Sequence, residues 1–300
     1  GNDNVVGTNG FYAMKAHWSE HPDRDETWAE TEKSRIGEER FRREHECEFL
    51  IFDETLISST TLVEMEGAEP MQTMGQVRWW KKPNPKMTYM VALDPAMGTG
   101  GDFAAIQVFE LPTFEQVAEW HHNTTPMNQQ IRILQGICKH IHETCLEQDS
   151  SKNPSIFYSM ENNTVGEAAL LRVMDIGEEN IHGQFLSEPI RKGHRRKFRR
   201  GFNTTAKHKI DACTKFKELI ESNKMIINSK PLISELKDFV ATGISFKAKP
   251  GQHDDLVSAC LIMTRMMKVL ADFDPKIFEK WTNRDTEYTA PMPIFANLGI

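Results

Sequence analysis

Long hydrophobic runs are missing from this chain. No stretch approaches the about 18 apolar residues that a membrane-crossing helix requires. The opening GNDNVVGTNG has neither a basic segment nor an apolar run, so it does not read as a secretory leader. Cysteine is scarce. Cys47, Cys138, Cys145, Cys213 and Cys260 are scattered and form no CxxC pair, which argues against a disulfide frame or a zinc cluster. They read as small buried hydrophobes in a reducing compartment. No G-x-x-x-x-G-K-[ST] loop occurs, so ATP hydrolysis is not expected of these residues, and no helix follows Gly98–Gly101, so the dinucleotide fingerprint fails. No internal repeat is visible.

What remains is ordinary in bulk and uneven in detail. Three hundred residues, 39% hydrophobic and 26% charged, suit one large domain, or one domain with an appendage. A formal net charge of −7 argues against nucleic acid as a partner, yet RKGHRRKFRR at 191–200 places seven Lys/Arg in ten residues.

Along the chain, three zones separate. Residues 1–66 are charged and polar, with Trp28, Ile36, Phe41 and Phe49 at wide intervals, and predict exposed helices followed by an extended linker around FDETLISSTTLVEME. WWKKPNPK at 79–86 reads as a loop. Residues 67–272 carry the periodic pattern: strands over 87–94, 103–111 and 115–122, a helix over 127–148, a strand over 155–161, a helix over 165–175 and a short strand within 182–188. A helix capped by Thr204 or Thr205 and a long apolar helix over 254–272 complete it. This order predicts an α/β domain whose mixed sheet has three antiparallel strands, then alternating helices and strands. Residues 273–300 have little periodicity and read as a flexible end or docking peptide.

Carboxylates mark the ends of these elements. Asp94 closes the first strand, Glu161 the fourth, and Asp254 and Asp255 open the last helix. If the first and fourth strands are neighbours, all four share one rim. Crowded carboxylates repel unless a cation neutralises them, and hard divalent ions such as Mg²⁺ or Mn²⁺ prefer such oxygens. Two ions about 3.5–4 Å apart can activate water and stabilise a leaving 3′ oxygen. Each acid also has a plain reading, as a turn, cap or solvated strand end. Asp102, after Gly100–Gly101, is either a turn residue or a further acid near the rim.

Arg191, Lys192, Arg195, Arg196, Lys197, Arg199 and Arg200, with Lys207 beyond, form a candidate grip on DNA phosphates, salt-sensitive and indifferent to sequence. Phe198 and Phe202 can pack beneath or stack on a base. Paired Trp79 and Trp80 read as packing beneath the sheet.

VALDPAMGTGGDFAAI, FYSMENNTVGEA and GQHDDLVSA resemble, in order and spacing, the three nuclease motifs of large terminase subunits of tailed phages, most closely those of contractile-tailed phages. The resemblance covers roughly 86–270. It implies an RNase H-like metal-dependent endonuclease cutting double-stranded concatemeric DNA during genome packaging, in the host cytoplasm. By it, Asp94, Glu161 and Asp255 correspond to the catalytic triad, Asp254 to a second-metal or supporting ligand, and Asp102 to an auxiliary acid. His253 is either an orienting group or a helix cap. A phage portal and a small terminase subunit are implied partners. Residues 1–66, with His45–Phe49, resemble the stretch joining a packaging ATPase to the nuclease, which suggests a fragment or the product of a split gene. Two other readings stay open: another RNase H-like enzyme, such as a junction resolvase or integrase, and a non-catalytic DNA-binding module.

Overall fold

The computed structural model describes residues 17–36, 41, 45–46, 55–188 and 200–273. The chain divides into two units, 1–54 and 55–300. In the first, helix α1 (Glu26–Ile36) starts where the Asp25 side chain accepts the Trp28 N–H at 2.8 Å. The widely spaced aromatics gather here. Trp28 lies 6.0 Å from Trp18 and 5.9 Å from Phe41, and Phe41 is fully buried. Helix α1 buries only Ala29, as expected of an exposed helix, and the aromatics that cluster beside it are too far apart in sequence to register as a periodic face.

The second unit begins earlier than the predicted linker allows. Leu56, Ile57 and Leu62 are buried in its core, and Ser58 caps a short helix α2 (Ser59–Glu64). The Leu56 N–H reaches the Phe239 carbonyl at 3.0 Å, a long-range pairing that local periodicity cannot reveal.

Among the described residues a seven-stranded sheet runs in the order β1-β2-β5-β4-β3-β6-β7. Its strands are β1 (Gln72–Met74), β2 (Val77–Trp79), β3 (Thr88–Asp94), β4 (Ala104–Leu111), β5 (Glu115–His122), β6 (Ser155–Met160) and β7 (Gln184–Phe185). The expected meander is β3-β4-β5, antiparallel throughout, while β6 pairs with β3 in parallel. The predicted 79–86 loop is shortened at its start, because Trp79 belongs to β2. Trp79 is buried with its ring 4.7 Å from that of His140, so it packs as expected.

Side-chain parity divides the core. Tyr89, Val91 and Leu93 face helices α3 (Met127–Gln148) and α4 (Thr164–Ile176). Met90 and Ala92 face α5 (Ala206–Glu221), α6 (Lys230–Asp238) and α7 (Asp255–Phe273). The predicted faces hold: Ile131, Leu134, Ile137 and Ile141 on α3, and Cys213, Phe216 and Leu219 on α5, are buried. Thr205 is the cap of α5. A small hairpin, β8 (Phe239–Thr242) with β9 (Ser245–Ala248), leads into α7. Cys138, Cys145, Cys213 and Cys260 are free and buried. No helix of the described residues is long and apolar enough to cross a membrane.

Gly166, in the first turn of α4, allows the helix to press on the end of β6. A Cβ there would lie 1.9 Å from the Glu161 carbonyl oxygen. Gly→Ala inside a helix ordinarily gains up to about 1 kcal/mol. Here overpacking, at about 1–3 kcal/mol, reverses the sign. Gly166→Ala is expected to lower the thermal unfolding midpoint, and an unchanged or higher midpoint would show that the approach is relaxed at no cost.

Candidate active site

The parity that builds the core also delivers the acids. Asp94 follows Met90 and Ala92 onto the α7 side of the sheet. In β6, Ile156, Tyr158 and Met160 face the other way, so Glu161 follows Phe157 to the same side as Asp94. Leu93 pairs with Met160, and the Glu161 N–H donates to the Leu93 carbonyl at 3.2 Å. The two acids are thus side by side at adjoining strand ends. On its other flank Glu161 bridges Phe202, and the Asn163 amide donates to Glu161 Oε2 at 2.6 Å.

Helix α7 supplies the remainder. The Asp254 carbonyl accepts the Ser258 N–H at 2.8 Å, which makes Asp254 the cap residue and Asp255 the first residue of the helix. Their carboxylates diverge. Asp255 Oδ2 accepts the Phe103 N–H at 3.4 Å, beside the start of β4, whereas Asp254 Oδ2 accepts the Ala248 N–H at 3.3 Å and lies 3.7 Å from Lys209 Nζ.

These carboxyls disturb one another. Asp94 is pushed well above the usual carboxylate range, first by burial, then by the charges of Glu161 and Asp255 and a hydrogen bond shared with Glu161, with Asp254 the weaker influence. Asp255 is raised to about 6, chiefly by burial, against the pull of the Phe103 N–H and the neighbouring His253. His253 Nδ1 lies 3.6 Å from Asp255 Oδ2. Its ring meets Phe103 edge-on at 4.9 Å, and Phe103 stacks on His121 at 4.2 Å. Among the described residues no three His, Cys, Asp or Glu side chains close to metal-ligand spacing. The acids stand as repelling neighbours, and as hard oxygen donors they suit a divalent cation.

Glu235 is a participant that sequence reasoning missed. From α6 its Oε2 accepts the Val257 N–H at 3.1 Å, capping α7 from outside. Burial raises it to about 9, with Asp255 and Glu119 adding to the rise and the Val257 N–H opposing it. The facing His121, 3.8 Å away, is lowered to about 4 by burial, then by the charges of Arg78 and His253, and so stays neutral near pH 7. Nothing local in LISELKDFV marks Glu235 out, because its partner is on another helix.

The other predicted residues fall differently. Asp102 is exposed on the β3–β4 connection, and Asp255 feels its charge only weakly. Lys207 is exposed in the first turn of α5. Arg200 pairs with Glu178 and lies over the Phe185 ring at 5.7 Å, so its charge is partly neutralised within the fold. Phe202 is buried beneath Arg265 and is not open to a base, which corrects the stacking alternative. Arg191, Lys192, Arg195, Arg196, Lys197, Phe198 and Arg199 lie outside the described residues.

A parallel strand pair flanked by an antiparallel meander, with acids at the shared strand ends and on the closing helix, defines an RNase H-like domain. The chain belongs to the terminase RNaseH-like domain family, whose model matches residues 91–266. In fold it is similar to the large terminase nuclease of the thermophilic phage G20c. The form with bound magnesium is 16% identical with a TM-score of 0.52, over 72% of this chain and 98% of that one. The form of the same protein with bound cobalt gives the same figures.

The raised Glu235 ties stability to pH. An acid raised from 4.5 to about 9 contributes fully at low pH, and that contribution is lost as pH climbs towards 9. Glu235→Gln keeps an oxygen for the Val257 N–H and removes this loss. Its thermal midpoint is expected to fall less than that of the parent between acid and alkaline pH, while Glu235→Ala is destabilised throughout. Parallel pH profiles for parent and Gln variant would contradict the reading.

Proposed function

We propose that this chain is a divalent-metal-dependent endonuclease that hydrolyses phosphodiester bonds in double-stranded concatemeric viral DNA during genome packaging, with little sequence preference. The observation that carries the proposal is the convergence of Asp94, Glu161 and Asp255, from two strand ends and a helix start, in a domain of the terminase family. Asp94, Glu161 and Asp255 are the residues that would hold Mg²⁺ or Mn²⁺, with Asp102 an outlying acid and Asp254 turned towards Lys209. Bound there, two such ions would lower the pKa of a water nucleophile and offset the negative charge that builds on the leaving 3′ oxygen.

The chain's own residues prepare this chemistry. Asn163 fixes the direction of Glu161, the Phe103 N–H fixes Asp255, and Glu235 holds the first turn of α7 against the sheet. The basic run gives the site its hold on DNA. The described residues flanking it are hydrogen-bonded near Glu161: the Glu188 N–H donates to the Gly201 carbonyl at 3.3 Å, and the Asn162 amide donates to the Arg200 carbonyl at 2.6 Å. Membership of the family supports a phage portal and a small terminase subunit as partners, and a reducing host cytoplasm suits the free, buried Cys138, Cys145, Cys213 and Cys260.

Plasmid cleavage in Mg²⁺, Mn²⁺ and EDTA tests the proposal. Cutting is expected with either metal and not with EDTA. Asp94→Asn is expected to leave less than about a tenth of the activity with DNA affinity intact, because a ligand is lost without a change of shape. Larger residual activity would remove Asp94 from the mechanism.

The pH dependence follows from Asp255. It is protonated below about 6, so cleavage should rise as pH passes through that value. Protons and metal compete for the same oxygens, and more Mn²⁺ should move the acidic limb to lower pH. A limb that ignores metal concentration would count against Asp255 as a ligand.

Replacing Arg195, Arg196 and Arg199 together by Gln should weaken DNA binding and flatten its salt dependence, by about 0.9 in the log–log slope for each phosphate no longer neutralised. An unchanged slope would show that the grip is elsewhere.

A further inference from the structure

A cavity of about 70 Å³ lies between α5 and α7, with Glu161 in its wall. The rest of its polar lining is of the opposite character: Lys209, His208, Arg265 and the hydroxyl-bearing Thr204 and Ser258. So many donors beside an acidic rim, in a chain of net charge −7, call for an anion.

The donors are not equivalent. Arg265 is committed to Glu188, to the Asn203 carbonyl at 3.0 Å and to Thr204 Oγ1 at 3.3 Å. His208 Nδ1 is engaged by the same Asn203 carbonyl at 2.8 Å. Lys209 is held more loosely. Its ammonium lies 3.7 Å from Asp254 Oδ2 and 5.4 Å from the centre of the Phe239 ring, with its side chain 25% exposed. An ammonium is a compact charge with three donors, so its long pairing with Asp254 leaves donors for a phosphate oxygen. The divergence of Asp254 from Asp255 gains a meaning here: Asp255 faces Asp94, and Asp254 faces Lys209.

We propose that Lys209, steadied by Asp254 and joined by Ser258 and Thr204, forms a phosphate subsite that takes a DNA phosphodiester neighbouring the one cut. The proposal rests on DNA being the substrate. Asp254 then acts as a positioning residue for Lys209. Glu161, the one acid in the lining, is also a proposed metal ligand, so a cation bound there would offset its repulsion of the phosphate.

The test is duplex-DNA affinity against salt, in an Asp94→Asn background with Mg²⁺ held constant, comparing Lys209, Lys209→Met and Lys209→Arg. Met keeps the stem over Phe239, and the thermal midpoint of each variant checks its fold. Lys209→Met is expected to lower the magnitude of the log–log slope by about 0.9, one phosphate, while Lys209→Arg keeps it. With Asp94 restored, Lys209→Met should lose about tenfold in kcat/KM. A slope that Lys209→Met leaves unchanged overturns the subsite, even if metal-dependent cutting stands. A slope reduced by Met and kept by Arg supports the subsite, even if the protein with Asp94 never cuts, in which case the nuclease reading is what fails.

Discussion

Repulsion among half-buried carboxyls is the constraint around which this domain is arranged. Asp94, Glu161 and Asp255 are brought together by two strands and a helix, each of which has apolar reasons of its own to be where it is. Met90 and Ala92 bury against α7, and the helix packs back on them with Leu256, Cys260 and Met263. That burial, at about 1.5–3 kcal/mol for each large side chain, is what can hold like charges side by side. The fold therefore stores an unfavourable arrangement that a cation relieves.

The shell behind the acids serves the same end. The Glu161 side chain is oriented by Asn163, and Asp255 by the Phe103 N–H. Glu235 reaches across from α6 to satisfy an N–H of α7 that a side chain within the helix would normally take. Behind it, Gln107, Gln116 and Ser229 donate to the buried Glu119, which Arg78 also pairs. A polar layer this deep is tolerable because its members are hydrogen-bonded to one another. It leaves the sheet's α7 face with two kinds of core, apolar under the helix and polar towards α6.

Much of this was legible from sequence. Strands 87–94 and 155–161 announced themselves by apolar runs, 115–122 by its alternation, α3 and α5 by their helical faces, and Asp94, Glu161, Asp254 and Asp255 by their places at element ends. What stayed hidden depends on pairings between segments far apart in the chain. Leu56 and Ile57 belong to the core because the chain there pairs with β8, and Glu235 matters because of Val257. Trp18, Trp28 and Phe41 cluster without any shared period. The different facing of two adjacent aspartates is likewise set by their neighbours, Phe103 for one and Lys209 for the other.

The β3–β6 pairing decides which changes of length the domain can survive. One residue inserted in β6 would send Glu161 to the α3–α4 side and bring Ile156, Tyr158 and Met160 round to α7, so that site and core would fail together. Two residues would restore the core but carry the carboxylate about 6.6 Å along the strand, beyond the reach of Asp94. These strands can therefore drift in composition but not in length, and lineages that diverge in this domain should differ in length only between them.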